Sequence, residues 1–186
     1  LKGFEITDSI SDGLLKIDGK ITGTGLKEVT KTNILIENFG VKDAPLFTQI
    51  LNATSLVGLV NTLRGKGIRF QTLRADVDFT PNKIEIKNSF ASGTSLGVST
   101  EGAIDRNSNQ ISIKGMIVPA YILNRIIDQI PVVGRILTGG KKEGLLAAEY
   151  LISGTRDEPE VSVNPLTAFT PGFLRAFVKA TRKPLE

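Results

Sequence analysis

The 186-residue sequence contains no cysteine, no histidine and no tryptophan. Without Cys there is no disulfide framework and no thiol nucleophile. Without Cys and His, neither the common zinc ligand sets nor a Ser-His-Asp triad can be assembled. The lack of Cys suits an oxidising compartment such as a periplasm, without requiring one. Two Tyr and no Trp supply little for a base-stacking platform. The excess of 23 Lys+Arg over 19 Asp+Glu, a net +4, is too diffuse to argue for nucleic acid. A long apolar run is missing too. The uncharged stretch between Asp43 and Arg64 has the length of a membrane span, but Pro45, Gln49, Asn52, Gly58 and Asn61 interrupt it. It reads as a buried or interfacial pair of helices. No charged segment followed by an apolar one opens the chain at Leu1-Lys2-Gly3. The start reads as a cut from a longer protein, Leu185-Glu186 as a vector-derived tail, and residues 1–184 as one domain.

What the sequence does contain is alternation. Leu73, Ala75, Val77 and Phe79 point one way, and Arg74, Asp76 and Asp78 the other. Ile84, Ile86 and Phe90 oppose Glu85 and Lys87; Ile111 and Ile113 oppose Gln110, Ser112 and Lys114; Leu15, Ile17 and Ile21 oppose Lys16, Asp18 and Lys20. Ile34 and Ile36 add a further strand. Turn signals at Pro81-Asn82, Ser92-Gly93 and Asp105 to Asn109 separate these runs, so the strands form an antiparallel meander. Three segments change to helical period: Pro45 to Leu63, Pro119 to Leu137, and Pro171 to Phe177. Each has Pro near its start, where a missing N–H is harmless. Pro131 and Gly134 are expected to bend the second. The fold class is therefore mainly β (α+β): a curved antiparallel sheet or groove with two helical insertions and a short C-terminal helix. A loose echo between Gly13 to Gly23 and Gly102 to Gly115 hints at a repeated hairpin.

Site chemistry is hard to assemble. Gly134 to Lys141 has Arg135 where a phosphate loop needs glycine and is followed by Lys142 where it needs Ser or Thr, and Gly23-Thr24-Gly25 lacks the third glycine of a dinucleotide fingerprint. Asp76 and Asp78 have the spacing of a glycosidase pair or a calcium corner, but on a polar strand face they read as solvated carboxylates. Asp157-Glu158-Pro159-Glu160 reads as an acidic turn before a strand, and Lys141-Lys142 as a turn between helix and strand. No catalytic residue, metal ligand or cofactor is expected.

From Gly115 to Phe177 an ordered string of short motifs appears. It comprises Val118-Pro119, Asn124, Ile130-Pro131, Gly134, Leu137-Thr138-Gly139-Gly140, Glu143-Gly144-Leu145 and Ile152-Ser153-Gly154-Thr155. Pro159, Val161 to Leu166 and Thr170-Pro171-Gly172 complete it, and within it Asn164-Pro165 is expected to end the last strand. The string resembles the C-terminal module of the AsmA-like family, nearest to its long YhdP-type members. The motif residues Pro119, Pro131, Gly134, Gly139, Gly140, Gly154, Asn164, Pro165 and Pro171 are structural in this reading. The resemblance implies a β-groove protein of the Gram-negative envelope, periplasmic and anchored in the inner membrane through a segment outside these residues. It implies a part in moving phospholipid towards the outer membrane, and no catalytic residues to carry over.

A twisted sheet with an apolar face can form a trough in which an acyl chain gains about 0.8 kcal/mol per buried CH₂. Leu73, Val77, Phe79, Ile84, Ile86, Ile111 and Ile113 are the candidate lipid contacts. The same side chains could equally meet the apolar helices as an ordinary core. Phe173, Leu174 and Phe177, flanked by Arg175 and Lys179, are candidate membrane contacts, with docking of the phenylalanines on the sheet as the alternative. The expected partners are an acyl lipid such as phospholipid and a membrane surface, with no nucleic acid. The competing function is a structural or docking module that binds a protein partner.

Overall fold

The structure is a computed structural model that describes residues 9–54, 56–120 and 147–166. Its core is a curved, open, antiparallel sheet of nine strands. The strands are β1 (Ile10–Ser11), β2 (Leu14–Thr22), β3 (Val29–Val41), β4 (Ile68–Phe79), β5 (Lys83–Gly93), β6 (Leu96–Asp105), β7 (Ile111–Pro119), β8 (Ala147–Gly154) and β9 (Pro159–Leu166). From β3 to β9 each strand pairs with the next in sequence, as expected of a meander. β1 and β2 share one edge of β3 in a common register, interrupted at Asp12 and Gly13. Both residues have positive φ, and so does Asn38 beside them in β3. Gln71 of β4 falls at a register shift on the same line. These irregularities bend three neighbouring strands together, which is how bulges curve a sheet. The suggested echo between Gly13 to Gly23 and Gly102 to Gly115 is not a repeat. The first segment is the single strand β2, and the second spans the β6–β7 hairpin.

Two helices, α1 (Pro45–Ala53) and α2 (Val57–Arg64), link β3 to β4. Pro45 occupies the first turn of α1, where its fixed φ helps nucleation. The chain leaves α1 at Thr54, whose hydroxyl donates to the Leu51 carbonyl at 2.9 Å, and the Leu56 N–H donates to that same carbonyl. The apolar sides of the helices bury Ile50, Leu51, Val60 and Leu63 against Phe39, Ile68 and Phe70. The Phe39 and Phe70 rings stack at 5.2 Å. Burial of this kind is worth roughly 1.5–3 kcal/mol per side chain. α1 also lies against β9, so the helix pair spans from the middle of the sheet to its last strand.

Turns gather at the opposite end of the sheet. The Asp105 carboxylate accepts the Asn107 and Ser108 N–H groups, chiefly the latter, which holds its pKa below the usual range. Arg106 donates to the Asn82 and Thr80 carbonyls, and Asn109 donates to Asp157, so three hairpin turns are tied side by side. Gly154 has φ 88° and opens the last of these turns.

One sequence expectation about a strand end is corrected. Asn164-Pro165 does not end the ladder: β9 runs to Leu166, with Pro165 opposite Ala148. β9 is an edge strand, and an edge tolerates proline where the missing N–H falls on the unpaired side. Asn164 accordingly lies within the strand, opposite Glu149, and not in a turn. Pro119 closes β7 opposite Leu96. The expected bend at Pro131 and Gly134, the motif residues Gly139 and Gly140, and the C-terminal segment with Pro171, Phe173, Leu174, Arg175, Phe177 and Lys179 lie outside the described residues.

Candidate functional site

Cross-strand register fixes which side chains share a face. Residues directly opposite in an antiparallel pair point the same way, so each register line is a row across the sheet. One row runs Ile21, Thr30, Phe79, Ile84, Ile104, Ile111. The next runs Gly19, Thr32, Val77, Ile86, Gly102, Ile113, Ile152, Val161. Further towards the helices lies Leu15, Ile36, Leu73, Ala91, Val98, Ile117, Ala148. All seven residues proposed from the sequence as lipid contacts therefore lie on one face, the inner face that meets the helix pair.

They are not equally available. Val77 and Ile111 are buried, whereas Leu73, Phe79, Ile84, Ile86 and Ile113 are half-buried. The inner face opens towards β2: Leu15, Ile17 and Ile21 are 49%, 58% and 65% exposed. The sequence pattern assigned these three to the correct side but did not single them out.

Between those rows lies one that pattern reading missed: Ile17, Ile34, Ala75, Ser89, Thr100, Gly115, Tyr150, Val163. Its middle is built from small residues, and Tyr150 fills the space they leave. The Tyr150 ring lies directly over Gly115, where a Cβ would collide with it. Its hydroxyl donates to the Ser99 carbonyl at 2.8 Å and shares a 2.6 Å hydrogen bond with the Thr100 hydroxyl. The side chain is 3% exposed, and burial pushes the phenol up to about 12 despite the Thr100 contact, which acts the other way. The signal was Gly115 flanked by polar Ser and Thr positions, legible only once the strands are in register.

The outer face carries ion pairs, together with the buried apolar side chains Leu35, Phe90 and Val118. Lys16 meets Glu37 at 2.9 Å, Lys87 meets Asp78 at 2.6 Å and Lys114 meets Glu101 at 2.9 Å. The hydrogen bond to Asp78 raises the Lys87 pKa, and Asp76 accepts from Asn88 at 3.3 Å. Asp76 is exposed, as the sequence reading of solvated carboxylates expects, whereas the Asp78 side chain is 14% exposed and held by Lys87. Phe90 corrects the alternation. Lys87 and Asn88 form a bulge against β6, so Phe90 faces outward with Arg74 and Ser99, away from Ile84 and Ile86. Among the described residues no group of acidic side chains has the arrangement of a metal site, and no helix is long and apolar enough to cross a membrane. The arrangement offers an apolar inner face and an outer face that mixes ion pairs with buried apolar side chains. No family model, no curated protein and no solved structure matches the chain.

Proposed function

We propose that this chain is a non-catalytic module that holds the acyl chains of phospholipid along the inner face of its sheet. In this reading the sheet is a stretch of β-groove, with helical insertions covering it at one end. It belongs to a periplasmic, inner-membrane-anchored protein that passes lipid between the two membranes and supports envelope integrity. The observation that carries the reading is the gradient across the inner face. Apolar rows continue from the covered centre to Leu15, Ile17 and Ile21, which remain exposed beside half-buried Ile34 and Ile36. An acyl chain lying there would remove that surface from water at about 25 cal/mol per Å². Head groups would stay beside the polar turns at the end away from the helices.

The test is transfer of a fluorescent phospholipid from donor vesicles to the purified protein. The expected result is uptake by the wild type and at least tenfold less, as a rough scale, by Ile17→Asn/Ile21→Asn, since two buried aliphatic side chains are worth several kcal/mol. Both positions are exposed, so the variant should unfold at the same denaturant concentration as the wild type. Equal uptake by both proteins would exclude the β2 side of the sheet as the lipid surface.

A second reading, an envelope module that docks a protein partner, draws on the burial of Val77 and Ile111 together with Ile104 and Ile152. These side chains already fill the inner face near the sheet's centre, as in an ordinary core. Absence of any lipid uptake by a folded protein would favour this reading.

A further inference from the structure

β2 is the outermost strand on its side of the sheet. Among the described residues nothing pairs with its outer edge, and all nine of its residues are exposed. Natural edge strands are usually short, bulged, interrupted by proline or guarded by inward-pointing charge. β2 has none of these protections. It is nine residues long, in unbroken register with β3, free of proline, and apolar at inner positions 15, 17 and 21. Its outer face carries an imbalance. Lys20 lies directly opposite Lys31 of β3, a like-charge pair that disfavours the pairing, while Asp18 faces only Asn33. Neither Asp18 nor Lys20 is in an ion pair among the described residues.

We propose that the β2 edge binds a second copy of this chain, with the two β2 strands pairing antiparallel about a two-fold axis at Gly19. In that register residue 18 faces residue 20 and residue 17 faces residue 21. Each Asp18 then meets the partner's Lys20 on the outer face and offsets the repulsion from Lys31. Each Ile17 meets the partner's Ile21 on the inner face, so the two inner faces join into one apolar surface. The sequence selects this register. Pairing centred on Asp18 or on Lys20 also keeps both inner faces on one side, but it sets a carboxylate against its own copy, or an ammonium against its own copy. A two-fold contact is self-complementary by necessity, and this strand meets that condition around Gly19 and around Ile17. The Ile17 register would join Lys16 to Asp18, but Lys16 is already held by Glu37 at 2.9 Å, and Lys20 would be left facing Leu14, so Gly19 is the better centre. At Gly19 an added Cβ would make only ordinary contacts within its own chain, the nearest at 3.6 Å.

The test is sedimentation velocity over a concentration series for the wild type, Asp18→Lys, Lys20→Asp and the double exchange. The wild type should pass from monomer to dimer. Each single exchange should weaken association by about tenfold or more, because two attractive pairs become repulsive. The double exchange should restore it. All four should remain folded, since the substituted side chains are exposed and Lys20→Asp relieves the contact with Lys31. In this cysteine-free chain, Gly19→Cys should form a disulfide-linked dimer on mild oxidation, because directly opposed strand positions fall within disulfide reach. A monomer at every concentration, or a dimer indifferent to the single exchanges, would overturn the proposal.

Discussion

Tyr150 is the residue whose environment is most specific. Its ring depends on Gly115 leaving space, and its hydroxyl serves both the Thr100 hydroxyl and the Ser99 carbonyl. Tyr150→Phe keeps the ring and removes the hydrogen bonds, so the expected loss is about 1–2 kcal/mol, read as a lower denaturation midpoint with unchanged slope. The phenol also links stability to alkaline pH. Its folded pKa, about 12, lies above the ordinary phenol value of 10.0, so the unfolded chain releases this proton first. The contribution is complete below pH 10 and is lost as pH rises towards 12, a change of about 2 kcal/mol. Stability of the wild type should therefore fall more steeply across that window than stability of Tyr150→Phe. Equal slopes would show that the buried phenol does not titrate as its surroundings require.

Among the elements, the helix pair bears most on stability. Leu51 is fully buried between the helices and the sheet, and Leu51→Ala should cost about 2–5 kcal/mol through lost transfer energy and the cavity left behind. Chemical denaturation measures this directly, and a loss below about 1 kcal/mol would mean that the helices do not pack on the sheet as described. The strands show where a sequence can be read and where it cannot. Alternation places Leu73, Val77 and Phe79 on one face because strand geometry has period two and those strands are regular. It misplaces Phe90 because Lys87 and Asn88 form a bulge. Lys87, Asn88 and Ser89 are polar whichever way they point, so polarity cannot reveal the extra residue. Proline at 165 suggests an end to pairing only if the strand is central, and edge position is a property of the whole sheet. Tyr150 escaped notice for a similar reason: Thr100 and Gly115 become its neighbours only through register, 50 and 35 positions away along the chain.

At the scale of the whole molecule, the proposed function depends on how much of the inner face stays open. The helix pair and the curl of the sheet close its centre, and the β2 side remains exposed. Lipid carriage needs that opening; a partner-docking module would not. Native mass spectrometry of the protein purified from membranes without added lipid tests the lipid account most directly. The account predicts a bound species with the mass of a phospholipid on the wild type, absent from Ile17→Asn/Ile21→Asn. A bare protein mass for the wild type, or the same phospholipid retained by the variant, would contradict it.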